Sequence, residues 1–139
     1  MIRRGEAAFV DSGAWIGLAI RRDPHHDEAL EQWEMLHRAA ARLRTSVPVV
    51  LETFTFLDRN AHREVALAWK ESLRRAERVA IMPCELGDLD SAWDYFRRSD
   101  LHKLSAVDAT SFAMMKRLGI SLAFTFDHHF AMVGFRHVG

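Results

Sequence analysis

Short apolar runs alternate with stretches of helical periodicity along the whole chain, and this alternation constrains the fold more than any other feature. "AAFVD" (7–11), "RTSV" (44–47), "RVAIMP" (78–83) and "SLAFTF" (121–126) read as strands, with a last short strand near "GFRHV". "SGAWIGLAI" turns into a short helix. Asp23 and Pro24 form an N-cap and first-turn pair, followed by Leu30, Trp33, Leu36, Ala40 and Leu43 at helical spacing. Pro48 opens the helix "PVVLETFTFLDR", and Val65, Ala66, Trp69, Leu73 and Ala76 mark the next. Asp88 caps a helix with Leu89, Ala92, Trp93 and Phe96 on one face. Ser105 to Leu118 forms another, stopped by Gly119. Strands separated by helices need crossover connections, so the expected fold is an α/β/α sandwich around a mostly parallel sheet.

The 139 residues suit a single domain, 1–139, with a sizeable core, and four Trp and nine Phe supply bulk for it. No apolar run approaches the length of a membrane span, which argues against a membrane partner. Cys84 is the only cysteine, so no disulfide forms within the chain, as expected of a cytoplasmic protein. Nineteen basic and nineteen acidic residues leave no net charge, so total charge does not argue for nucleic acid.

Chemistry is signalled by carboxylates in apolar company. In parallel sheets the ligand site lies beyond the carboxyl ends of the strands. "AAFVD" ends there on Asp11 and "SLAFTFD" on Asp127. Glu52 lies within "VVLETFTFL", and Asp108 shares a helix face with Phe112 and Met115. Each has an ordinary structural explanation: Asp11 as a helix cap, Asp127 as a turn residue, Glu52 as half of an ion pair with an arginine, and Ser105 with Asp108 as a capping box. Four such coincidences together point instead to an acidic pocket. Clustered carboxylates repel unless protonated or neutralised by cations. Hard divalent ions such as Mg²⁺ or Mn²⁺ prefer oxygen ligands and can activate water against a phosphodiester.

The stretches "FVDSGAWIGL", "PVVLETFTFL", "KLSAVDATSFAMMKRLGI" and "AFTFDHHFAMVGF" resemble PIN-domain ribonucleases, most closely the VapC-like toxins of bacterial toxin–antitoxin pairs. The resemblance spans nearly the whole chain, and its last two stretches are the most specific. It implies a PIN-like three-layer α/β/α fold and an endoribonuclease in which Asp11, Glu52, Asp108 and Asp127 are catalytic. Asp11, Asp108 and Asp127 would hold Mg²⁺, with Mn²⁺ able to replace it. Ser105 and Thr125 match supporting hydroxyl residues, and Asp100 a frequent extra acid with an outer supporting role. An RNA substrate, a cognate antitoxin protein and a homodimer are implied in the same way.

His128 and His129 are expected to cap a short helix and flank Phe130, whose ring packs inward, since Mg²⁺ does not choose histidine. His25 and His26 read as surface. Receiver domains and Asp-x-Asp phosphatases share the parallel sheet, but Asp11 has no acidic neighbour and Gly13 stands two residues on. A non-catalytic RNA- or protein-binding module on the same fold is the remaining alternative.

Overall fold

The apolar run preceding Asp11 becomes β1 (Ala7–Val10), whose residues are buried apart from the first, as in a strand covered on both faces. In the computed structural model, which describes residues 1–139, it is joined by β2 (Arg42–Ser46), β3 (Val79–Met82), β4 (Leu122–Phe124) and β5 (Arg136–His137). The five strands form one sheet in the order β3-β2-β1-β4-β5. Every pair is parallel, so the mostly parallel sheet expected is wholly so.

Seven helices connect the strands: α1 (Ser12–Ala19), α2 (His26–Arg38), α3 (Val47–Asn60), α4 (Arg63–Arg75), α5 (Leu86–Tyr95), α6 (Ala106–Leu118) and α7 (His129–Met132). From β1 the chain winds outward through β2 to the edge strand β3. It then crosses back to place β4 on the other side of β1. The strand order therefore reverses between β1 and β4, the kind of switch point at which such sheets bind ligands.

Two aromatic clusters build the core. Trp15 of α1 meets Trp33 and Trp69 edge-on at 5.8 and 6.0 Å. Phe112 of α6 meets Tyr95 and Phe130 edge-on at 5.1 and 4.8 Å. Phe112 and Phe130 are fully buried, and each such ring contributes about 1.5–3 kcal/mol relative to exposure.

Several boundaries differ from expectation. Asp23 and Pro24 do not start α2. The Asp23 carboxylate accepts a hydrogen bond from the His25 N–H in the turn before it, and the helix begins at His26. Ala40 and Leu43 are not helical: α2 stops at Arg38, and Leu43 pairs with Ala8 in β1 and Val79 in β3. The strand at 44–47 starts two residues earlier and ends at Ser46, whose hydroxyl caps α3 by accepting from the Val49 N–H. Asp88 is not the cap of α5 but its third residue. Its buried carboxylate accepts from the Glu85 N–H and pairs with Arg117 of α6. That turns Ala92 and Tyr95 inward and leaves Trp93 and Phe96 about half exposed.

Two helices end in the same hydrogen-bonded turn with different residues at its left-handed position. Gly119 occupies it after α6, with φ 70°, and Ala40 after α2, with φ 53°. In each turn the next residue's N–H reaches back five positions, Ile120 to Met115 and Ala41 to Leu36. A side chain in this region is strained where glycine is not. Ala40→Gly should therefore stabilise the protein by about 1 kcal/mol, and Gly119→Ala should destabilise it by about as much. Urea unfolding of the two variants checks both signs.

Candidate active site

β1 and β4 run side by side, with Val10 opposite Phe124, so the residues that leave their carboxyl ends emerge together. Asp11 follows β1 directly and is almost wholly buried. Thr125 follows β4, and its hydroxyl donates to Asp11 Oδ2 at 2.9 Å while accepting from the Asp127 N–H at 3.0 Å. One buried hydroxyl thus ties together the acids of two strands. Thr45 of β2 donates to the Val10 carbonyl and accepts from the Trp15 indole, which fixes the start of α1 against the sheet.

That start carries Ser12, whose hydroxyl donates to Glu52 Oε1 at 2.6 Å, across 40 residues of chain. Glu52 is half-buried and has no arginine partner, so the ion-pair explanation does not describe it. On α6, Ser105 Oγ accepts from the Asp108 N–H at 3.0 Å. Only this half of a capping box forms. The Asp108 carboxyl turns instead into the acidic cavity that it shares with Asp127.

Asp11, Glu52, Asp108 and Asp127 all line one cavity of about 590 Å³, together with Ser105, and no arginine lines it. Asp100 stands apart. It is exposed and paired with Arg98 at 2.7 Å, and so makes no contact that would support the acids.

The four acids share charge unevenly. Burial pushes the Asp11 carboxyl up to about 7, against the pull of the Ser12 backbone and the Thr125 hydroxyl. Glu52 and Asp127 raise it further by repulsion. Burial, then the Asp11 charge, then its hydrogen bond to Asp127 push Asp108 up to about 9. Asp127 is also desolvated, which alone would raise it. Hydrogen bonds from Asp108 and from the His129 N–H, with the His129 imidazole beside it, hold it below the ordinary carboxylate range. Without a cation, then, Asp108 carries the proton and Asp127 the charge.

His129 was expected to flank a buried Phe130 at the start of a short helix, and it does. It does more than that. Its ring is buried, with Nδ1 2.7 Å from Asp127 Oδ1 and Nε2 2.7 Å from the His102 carbonyl oxygen. Its backbone N–H donates to the same Asp127 oxygen at 2.8 Å. Nε2 is engaged by the carbonyl, whereas Nδ1, although close to Asp127, has no hydrogen-bond partner, so His129 orients Asp127 chiefly through its backbone N–H. His128 is exposed, with Nδ1 3.8 Å from Asp127.

Sequence reasoning missed Ser12 and the orienting role of His129, together with His25, Phe126 and Lys103, which complete the cavity wall. His25 is exposed, as expected, but its ring lies flat on Phe126 with centroids 4.4 Å apart.

The donor set fits a hard divalent cation. Asp11 Oδ1 is buried with no hydrogen-bond partner. An ion held by Asp11, Asp108 and Asp127 would supply that partner and displace the proton from Asp108.

This fold and cavity define a class. A family model described as PIN domain matches residues 8–136, and the chain belongs to the PIN-domain family. It is 35% identical over 131 residues to a Mycobacterium tuberculosis protein named 23S rRNA-specific endonuclease VapC20, covering 94% of this chain and 96% of that one. The crystal structure of Mycobacterium tuberculosis VapC20, described as a Sarcin-Ricin loop cleaving toxin, superposes with a TM-score of 0.79 at 32% identity, covering 92% and 95% of the two chains. The structure of VapBC2 from Rickettsia felis bound to a promoter DNA fragment superposes with a TM-score of 0.70 at 10% identity, covering 94% and 96%, a likeness of fold alone.

Two outcomes follow from the raised acids. Unfolded aspartates release their protons near pH 4, whereas the folded chain holds protons on Asp11 and Asp108 up to about 7 and 9. In chelator, stability should therefore fall as pH rises from about 4 to about 9. Asp108→Asn should flatten that slope and raise stability at neutral pH by about 1 kcal/mol. Urea unfolding across this pH range checks the sign. Separately, His129→Asn should lower kcat on RNA by about tenfold with little change in KM, measured by steady-state cleavage.

Proposed function

We propose that the chain is a metal-dependent endoribonuclease acting on ribosomal RNA and the toxin of a toxin–antitoxin pair. The observation that carries this reading is the convergence of Asp11, Glu52, Asp108 and Asp127 on one cavity, with Asp11 Oδ1 left unpartnered inside it. Such a cavity favours a cation and, through it, the phosphate of a nucleic acid. The choice of ribosomal RNA rests on the relative named as a 23S rRNA-specific endonuclease. The antitoxin and a homodimer rest on the likeness to VapC proteins. Residues 1–139 act as one domain in this reading. No helix is long and apolar enough to cross a membrane, and the lone Cys84 suits the cytoplasm in which ribosomes lie.

Mg²⁺, with Mn²⁺ as a substitute, would be held by Asp11, Asp108 and Asp127, and when bound supplies charge neutralisation at the phosphate and a more acidic water. Asp108, ionised by loss of its proton to solvent, would stand with Asp127 as a ligand. Thr125 keeps Asp11 and Asp127 in register while His129 prevents Asp127 from turning away. Glu52, anchored by Ser12 and open to the cavity, accepts the proton of the attacking water. Lys103, exposed on the rim, attracts the RNA backbone and offsets the acidic field that would repel it.

The test is cleavage of purified ribosomes and of total RNA in Mg²⁺ or Mn²⁺. A cut in large-subunit ribosomal RNA that chelator and Asp11→Asn both abolish is the expected outcome. Cleavage that survives either treatment, or no cleavage of any RNA, would contradict the reading. Expression without a partner should arrest growth, and Asp11→Asn should relieve the arrest.

A further inference from the structure

A second cavity, of about 520 Å³, lies on the other side of the His25–Phe126 stack, and these two side chains line both cavities. Thr125, which ties Asp11 to Asp127, also lines it. The acids and the second cavity are thus separated by little more than one pair of stacked rings.

This second cavity has unfilled hydrogen-bonding capacity. Gln32 of α2 is 8% exposed, and its Oε1 has no partner. His137 of β5 lines the same cavity, and its Nε2 is likewise buried and unpartnered. Buried polar atoms are rarely left in this state, so two in one cavity call for a ligand. Its volume is that of a small-molecule pocket, with the Phe126 and His25 rings on one wall and mostly polar side chains elsewhere. The exposed Glu28 and Glu31 also line it and disfavour a phosphate there. A flat ring with an amino group fits instead. Its amine would donate to Gln32 Oε1, its ring edge would meet His137 Nε2, and its face would pack against the His25–Phe126 pair. RNA outside duplexes is read in this way, by unstacked bases packed on aromatic side chains and hydrogen-bonded at their edges.

We propose that the second cavity receives one unstacked nucleobase of the substrate RNA, beside the scissile phosphate, and selects a base that carries an exocyclic amine. The proposal rests on the nuclease reading above and assigns Gln32, His137 and Phe126 to substrate choice. Uridine, which has no such amine, is the base it rejects.

The experiment uses the RNA segment mapped by the ribosome cleavage test, with each of the four nucleotides placed in turn at the positions flanking the cut. At one flanking position uridine should lower wild-type kcat/KM by about tenfold relative to the best base. Gln32→Met keeps the side chain's length and removes the amide. It should reduce that preference to about twofold or less while leaving preferences at other positions intact. Gln32→Glu retains an acceptor and should keep discrimination against uridine. If Gln32→Met does not fold, Gln32→Leu, which also lacks the amide, provides the same readout.

An unchanged profile in Gln32→Met would mean that the cavity holds only water, and an equal loss for all four nucleotides would mean that Gln32 is structural. Either overturns the proposal. So would an unchanged RNA profile accompanied by weaker binding of an arginine-bearing peptide, since a guanidinium would meet the same acceptors. A wild type that cuts no RNA would instead contradict the nuclease reading, a result distinct from any of these.

Discussion

Repulsion among carboxylates at the carboxyl end of a parallel sheet is the constraint around which this molecule is arranged. Asp11 and Asp108 are buried, Asp127 and Glu52 partly so, and no arginine is near enough to compensate them. A fold that places such groups together must hold them by other means. It uses neutral donors, the Thr125 and Ser12 hydroxyls and the His129 backbone N–H. It also uses one shared proton, on Asp108, and one imidazole against Asp127. Each device keeps an acid in place without cancelling the demand for a cation. A structural salt bridge would have cancelled it, as the Asp88–Arg117 pair does elsewhere in the same chain.

The architecture reduces the cost of this crowding. Both α1 and α6 begin at the acids, and their N-terminal dipoles favour negative charge. The reversal of strand order between β1 and β4 opens a crevice where two crossovers part. The acids lie in that crevice, while the aromatic clusters on α1 and α6 anchor the helices that carry Ser12 and Asp108.

The parts of this arrangement legible in the sequence were those with local causes. An apolar run ending on aspartate marks both a strand and its end, and Gly119 marks a helix stop because glycine suits the left-handed turn. Ala40 makes the same turn without glycine, so Leu43 looked like a helical residue although its place is in the sheet. The face of α5 was misjudged because Asp88, an acid, is buried by an arginine 29 residues away. Asp100 matched a family pattern but is claimed by Arg98. Ser12 and His129 were missed as site residues because their partners are set by the fold. Ser12 meets an acid 40 residues on, and His129 is oriented by the carbonyl of His102.

The central claim is that the four acids form one cation-binding unit which, when empty, stores a proton on Asp108. Titration calorimetry with Mn²⁺ at pH 7, repeated in buffers of different ionisation enthalpy, counts the protons released on binding. The account requires release of about one proton or more per site, because a ligand carboxylate must be ionised and Asp108 is not before binding. Asp108→Asn should release fewer. Tight binding with no proton released, or the same count from Asp108→Asn, would contradict it.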